Sequence, residues 1–125
     1  AHPNLVPYRA FEAKDGWFVI GVGSDNQWQS LVAALEIENR DSWSTNEGRV
    51  KGREDVEAVV SNAVSKYERK ELEEKLSGIP CAPVNTVLEA LYDPQSVARN
   101  AVTQHKDVDV LASPLRFMSP SKREE

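Results

Sequence analysis

Positions 8–23 read YRAFEAKDGWFVIGVG, a short-period pattern that breaks once at a polar tip. Tyr8 and Phe11 precede the tip, 17–22 is aromatic and β-branched, and Asp15-Gly16 supplies a tight turn because glycine takes positive φ without steric cost. A β-hairpin is expected. In SDNQWQSLVAAL (24–35) the period lengthens, and Trp28, Leu31, Val32 and Leu35 fall on one helical face. Ser24 and Gln27 have capping-box spacing at its start. After a polar loop over 38–43, STNEGRV opens a short helix, with Ser44 and Glu47 again spaced as a capping box. REDVEAVVSNAVSKY (53–67) carries the clearest stripe: Val56, Val59, Val60, Ala63, Val64 and Tyr67. RKELEEKL (69–76) turns Leu72 and Leu76 inward and stops at Gly78, with Pro80 blocking continuation.

The stretch GIPCAPVNTVLEAL (78–91) makes a corner and then a helix. Thr86 and Glu89 form its capping box, and Val87, Leu88 and Leu91 are expected to face inward. DPQSVARN follows with Asp93 as N-cap and Pro94 at the first helical position, where a missing N–H does no harm. AVTQHKDVDVLASPLRF (101–117) alternates loosely and reads as one or two strands, and SPSKREE as a tail. The order strands, helices, strand predicts an α+β domain over 1–118: a small antiparallel sheet, made of the N-terminal hairpin and a C-terminal strand, covered by several helices, with 119–125 as tail.

Composition narrows the function classes. The chain has 125 residues, 40% hydrophobic and 28% charged, with net charge −5. That charge speaks against a nucleic-acid surface, and no apolar run is long enough for a membrane span. No basic region followed by an apolar stretch marks a signal peptide. One cysteine excludes an internal disulfide and matches a reducing compartment, cytoplasm or mitochondrial matrix. A start at AHPN without methionine is expected of a piece of a longer protein or a processed one.

Candidate chemistry is sparse. A Cys81 nucleophile needs a base or a positive charge to lower its pKa; flanking Pro80, Pro83 and Val84 point instead to rigid packing. GVGSDN imitates a dinucleotide fingerprint, but Asn26 stands where the third glycine belongs, and a strand-to-helix turn is the better reading. N–H groups at that helix start remain a possible cradle for an anion or carboxylate. His2, His105 and Cys81 give no metal-ligand spacing. Glu71, Glu73 and Glu74 read as a solvated helix face, and Trp17, Trp28 and Trp43 as core or interface. Arg49 and Arg53, four apart, share a helix face, with an ion pair to an acid commoner than a phosphate site. Residue types and spacing alone give no catalytic set.

Four ordered motifs nevertheless resemble one family: HPNLVPYRAFEAKDGW, VIGVGSDNQW, TNEGRVKGRED and GIPCAPVNTVLEALYDPQ, with SPLRF at the close. Together they are similar to the smaller domain of the class III coenzyme A transferases, a family that also holds 2-methylacyl-CoA racemases. The resemblance implies a protein about three times this length, two chains interlocked as a homodimer, and a large Rossmann-like domain carrying an aspartate nucleophile. That aspartate would form a mixed anhydride and then an aspartyl-CoA thioester before a carboxylic acid takes the CoA. No aspartate here matches that motif, so no catalytic residue is expected in this chain. The resemblance implies no tightly bound cofactor; the coenzyme A thioester is a substrate. Expected partners are acyl-CoA, a carboxylic acid and the large domain of the same protein.

The resemblance also places AHPNLVPY near the active site. In formyl-CoA transferase the corresponding loop is a glycine-rich lid; here it has no glycine, and Pro3 and Pro7 stiffen it. Ala1, His2, Pro3 and Asn4, with Ser24, Asp25 and Asn26 in the following turn, are the implied pocket residues, His2 hydrogen-bonding a carboxylate. Racemases resemble GAIEPQF at that turn, so the form here is transferase-like, with Asp25 as the one carboxylate that would stand in. Cys81 is not implied as nucleophile. The alternatives are part of a racemase, or a stand-alone non-catalytic domain.

Overall fold

The computed structural model describes residues 1–115. Strands β1 (Tyr8–Ala13) and β2 (Gly16–Gly21) pair antiparallel, with Phe11 opposite Phe18 and Ala13 opposite Gly16. Directly opposed residues share a face. Phe11, Ala13, Phe18 and Ile20 therefore all turn to the core, where each is buried. Pairing of Ala13 with Gly16 puts the bend on Lys14 and Asp15, one residue earlier than expected, while Gly16 takes φ 146°. The turn is tied to the helices: the Arg69 backbone N–H donates to Asp15 Oδ1 at 2.8 Å and its Nε to Oδ2 at 3.3 Å.

Helix α1 (Asp25–Leu35) buries Trp28, Leu31 and Leu35. Ser24 caps it by accepting the Gln27 N–H, but the Gln27 side chain accepts from Gly23 rather than completing the reciprocal box. A 3-10 turn (Asp41–Trp43) leads to α2 (Asn46–Lys51). Its cap is Thr45, not Ser44: Thr45 accepts the Gly48 N–H, and Glu47 pairs with Lys51. Gly48 is required where it stands, because a Cβ there would run into the Ser42 carbonyl. Helices α3 (Arg53–Val64) and α4 (Arg69–Lys75) carry the predicted stripes, with Val56, Val60, Val64, Leu72 and Leu76 fully buried. Trp28 and Trp43 meet edge to face, ring centres 6.4 Å apart.

The third strand of the main sheet is a correction to the expected topology. β3 (Cys81–Pro83) pairs antiparallel with β2, so the order is β1-β2-β3, and among the described residues no strand after β3 joins this sheet. Gly78, at φ 93°, and Pro80 end the helical course and return the chain extended. Pairing continues past the strand through Gly21 N–H to Pro80 and Val84 N–H to Trp17, both at 2.8 Å.

The chain divides into two compact units, Ala1–Val84 and the part from Asn85 onward. In the second, Thr86 and Glu89 form the expected box at the start of α5 (Val87–Leu91). Asp93 caps α6 (Pro94–Ala98), accepting the Gln95 N–H at 2.8 Å. Strands β4 (Val102–His105) and β5 (Val108–Leu111) pair with each other and, among the described residues, with no other strand. Lys106 and Asp107, both at positive φ, form the two-residue turn whose twist favours that local hairpin. Val87 and Leu88, expected inward, are 79% and 65% exposed. The α+β class and the antiparallel pairing are as expected. The tail over 119–125, and Arg116 and Phe117 of SPLRF, lie outside the described residues.

Candidate functional site

Three side chains from α2 and the start of α3 grip the N-terminal segment by its backbone. Asn46 donates from Nδ2 to the Asn4 carbonyl at 2.8 Å and accepts the Val6 N–H at Oδ1, 3.3 Å. Arg53 Nη2 donates to the Pro3 carbonyl at 2.7 Å, and Arg49 Nε to the Val6 carbonyl at 2.8 Å. Backbone bonds from His2 to Tyr8 and from Val22 to Pro7, both 2.9 Å, extend the attachment into the sheet. Arg49 and Arg53 do not share a helix, since Gly52 separates α2 from α3. They nonetheless converge on the same segment.

Arg49 is fully buried. Besides Val6 it donates through Nη1 to the Trp43 carbonyl and through Nη2 to Asp25 Oδ1, both at 2.9 Å. The guanidinium carbon also lies 5.4 Å from the Trp28 ring centre. A buried cation is tolerable only when its donors are met, and here one side chain meets a loop carbonyl, a 3-10 turn and the first residue of α1. Asp25 is well placed to answer it, because an acid in the first turn also faces the positive end of the helix dipole. The expected ion pair exists, but as an internal cross-link rather than a surface contact. It also brings the two predicted segments into one assembly: residues 3–6 through Asn46, Arg49 and Arg53, and Asp25 through Arg49.

The individual candidates then have definite states. Ala1, Pro3 and Asn4 are exposed and His2 is half-buried. His2 Nδ1 accepts the Asn4 N–H at 3.1 Å, so the neutral ring carries its proton on Nε2. Its ring centre lies 5.3 Å from that of Tyr8. Ser24, Asp25 and Asn26 are exposed, with the Ser24 hydroxyl engaged as the cap of α1. The Gly23 and Gln27 N–H groups, part of the expected anion cradle, are already bonded within the turn.

Cys81 is half-buried in β3, its sulfur 3.9 Å from the Leu76 carbonyl. Burial, and then the charge of Glu73, push its thiol pKa up. That disfavours the thiolate a nucleophile requires. Among the described residues, no group of three or more His, Cys, Asp or Glu side chains is placed to hold a metal ion. No described helix is long and apolar enough to cross a membrane. Sequence reasoning missed Asn46 altogether: an asparagine opening a short helix carries no signal that its side chain will bracket a loop forty residues away.

Comparison with known proteins adds what the geometry does not hold. A sequence profile described as CoA-transferase family III matches residues 1–123. A succinate–glutarate CoA-transferase from Agrobacterium fabrum is 31% identical over 104 residues, 79% of this chain and 26% of its own length. A succinyl-CoA:mesaconate CoA-transferase from Haloarcula hispanica is 32% identical over 111 residues, 87% of this chain and 27% of its own. The crystal structure of a CAIB/BAIF family protein from Brucella suis superposes with TM-score 0.87 at 34% identity, covering 94% of this chain and 32% of that one. The chain thus spans about a quarter to a third of the length of these relatives.

Proposed function

This chain belongs to CoA-transferase family III, and on that premise we propose that it is the smaller lobe of an enzyme moving coenzyme A from an acyl-CoA to a free carboxylic acid. The nucleophile is an aspartate in polypeptide that this chain does not span. Its carboxylate attacks the acyl-CoA carbonyl and expels the CoA thiolate, giving a mixed anhydride. The thiolate then attacks the aspartyl carbonyl, releasing the donor acid and leaving an aspartyl-CoA thioester from which the acceptor acid takes the CoA. A covalent carboxylate intermediate divides one difficult exchange into easier ones. The match across residues 1–123 carries the proposal.

The lobe contributes one wall of the acid site. Residues 1–4 and Ser24, Asp25 and Asn26 face the acceptor, and His2 Nε2–H donates to its carboxylate. Relatives named for glutarate and mesaconate point to a dicarboxylic acceptor. The working enzyme is a homodimer. A racemase is disfavoured, because Asp25, the one carboxylate available at the turn, already holds Arg49.

The test mixes succinyl-CoA and a panel of carboxylic acids with the full-length enzyme or with the 125-residue chain, and follows new thioesters by mass spectrometry. New acyl-CoA from the full-length enzyme and none from the short chain is expected. Transfer by the short chain alone would overturn the reading. So would α-proton exchange on a 2-methylacyl-CoA without any transfer by the full-length enzyme.

A further inference from the structure

Asp15-Gly16 is the one Asp-Gly pair in the sequence. It sits at the tip of the β1–β2 hairpin, with Asp15 exposed and Gly16 paired to Ala13. An aspartate before a glycine is chemically labile, because no Cβ on the glycine hinders its nitrogen from reaching the neighbouring carboxyl. Here both reacting groups are engaged elsewhere. The Asp15 carboxylate accepts the Arg69 backbone N–H at Oδ1, 2.8 Å, and Arg69 Nε at Oδ2, 3.3 Å. The Arg69 side chain also lies over Gly16, where a Cβ would come within 3.2 Å of Nε. Arg69 Nη1 donates to the Val84 carbonyl at 3.2 Å, and the Lys14 N–H to the Tyr67 carbonyl at 3.0 Å. Residues 67–69 thus fasten the tip to the start of α4, and Arg69 ties it to the end of β3 as well. The Arg69 backbone N–H, and after it the side chain, lower the pKa of the Asp15 carboxyl, and a carboxylate acylates an amide less readily than the acid does.

We propose that Asp15 is a latent isoaspartate site and that Arg69 is the clasp that keeps it closed. When the clasp opens, the Gly16 nitrogen attacks Asp15 Cγ. The N–Cγ bond forms, and the carboxyl OH leaves with the amide proton as water, giving a cyclic succinimide. Solvent water then opens the ring. Attack at Cγ restores aspartate; attack at the Asp15 main-chain carbonyl carbon gives isoaspartate, with the main chain now running through the side-chain carbon and one methylene longer. A two-residue turn has no slack for that methylene, since turn length sets the register of the strands it joins. The Ala13–Gly16 pair is the first to be lost, at the end of a strand that is paired on both sides.

Peptide mapping by mass spectrometry, with fragmentation that separates isoaspartate from aspartate, tests this on the 125-residue chain aged in mildly acidic buffer, native and unfolded in urea. Two variants open the clasp in steps. Arg69→Met removes the side-chain donors and keeps the backbone N–H. Arg69→Pro removes both, at the first position of α4, which tolerates proline, and after Glu68, whose extended backbone suits it. Isoaspartate at 15 should accumulate about tenfold more slowly in the native chain than in the unfolded one, since it needs local opening. Arg69→Met should fall between the two, and Arg69→Pro should approach the unfolded rate while circular dichroism stays native. Equal rates in native and unfolded wild type would overturn the proposal, as would folded Arg69 variants that age no faster than wild type. Should Arg69→Pro fail to fold, Arg69→Met against wild type decides. The isomerised chain, separated by ion exchange, should melt below the unmodified one; equal melting would refute the claim that the turn cannot hold the extra methylene.

Discussion

Replacing Arg49 by Met asks whether one buried cation holds the lobe's candidate wall together. Met keeps much of the side-chain volume and removes every donor. Three hydrogen bonds disappear, to Val6, Trp43 and Asp25. At about 1 kcal/mol net for each, with a further penalty for two carbonyls left buried without a donor, the loss comes to roughly 3–5 kcal/mol. Against a total stability of about 5–10 kcal/mol for a domain of this size, that is a large share. Asp25→Asn is the control. Asp25 is half-exposed and Asn still offers an oxygen, so about 1 kcal/mol is expected there. Urea unfolding of the 125-residue chain, followed by tryptophan fluorescence, reads both, because Trp28 and Trp43 lie in the core beside Arg49. A midpoint for Arg49→Met close to the wild type, or a larger effect of Asp25→Asn, would refute the claim that Arg49 is the cross-link.

Gly48→Ala should destabilise by roughly 1–3 kcal/mol, since the new methyl must displace the Ser42 carbonyl; a calorimetric melt within error of wild type would contradict the close approach. The Arg69 backbone N–H, and after it the Arg69 side chain, hold the Asp15 carboxyl below its ordinary value of 3.8. Asp15 therefore adds stability above that pH, and the contribution is lost as pH falls below it. Asp15→Asn should flatten the melting curve against pH in that acid range, and a parallel profile would argue against the link. Cys81→Ala should leave CoA transfer by the full-length enzyme intact, and the wild-type thiol should react slowly with iodoacetamide at neutral pH. Asn46→Ala should speed hydrogen exchange at Val6 while leaving β1 and β2 unchanged; a uniform change across the lobe would mean that Asn46 stabilises the fold rather than the segment.

What the chain revealed in advance was what depends on neighbours in sequence. The hairpin, the stripe of α3, the Thr86–Glu89 box and the Asp93–Pro94 start are decided within a few residues, by period, cap and turn chemistry. The misplacements are small where two local choices compete: Thr45, one residue after Ser44, accepts the Gly48 N–H and caps α2. They are larger where pairing is distant. Nothing near Cys81 announces that 81–83 will join β2, and the C-terminal alternation does not say which strand it will find. The wall of the candidate site belongs to the second kind. Arg49 looked like one of two surface cations on a helix, and only the tertiary structure makes it the common partner of Val6, Trp43 and Asp25.

The same distinction bears on how the N-terminal segment behaves. Absence of glycine in AHPNLVPY argues against a mobile lid only weakly, since a stiff segment still swings as a unit. The attachments argue more strongly. Lifting residues 3–6 breaks the bonds from Arg53 to Pro3, from Asn46 to Asn4 and Val6, and from Arg49 to Val6. At about 0.5–1.5 kcal/mol net apiece, that costs roughly 2–6 kcal/mol, and the buried Arg49 Nε left without an acceptor raises it further, although its two Nη groups keep Trp43 and Asp25. A gate of that cost is open less than a few per cent of the time unless a ligand binds the open state more tightly by a matching amount. Residues 3–6 are therefore held as a fixed segment on α2 and the start of α3, not as a freely opening lid.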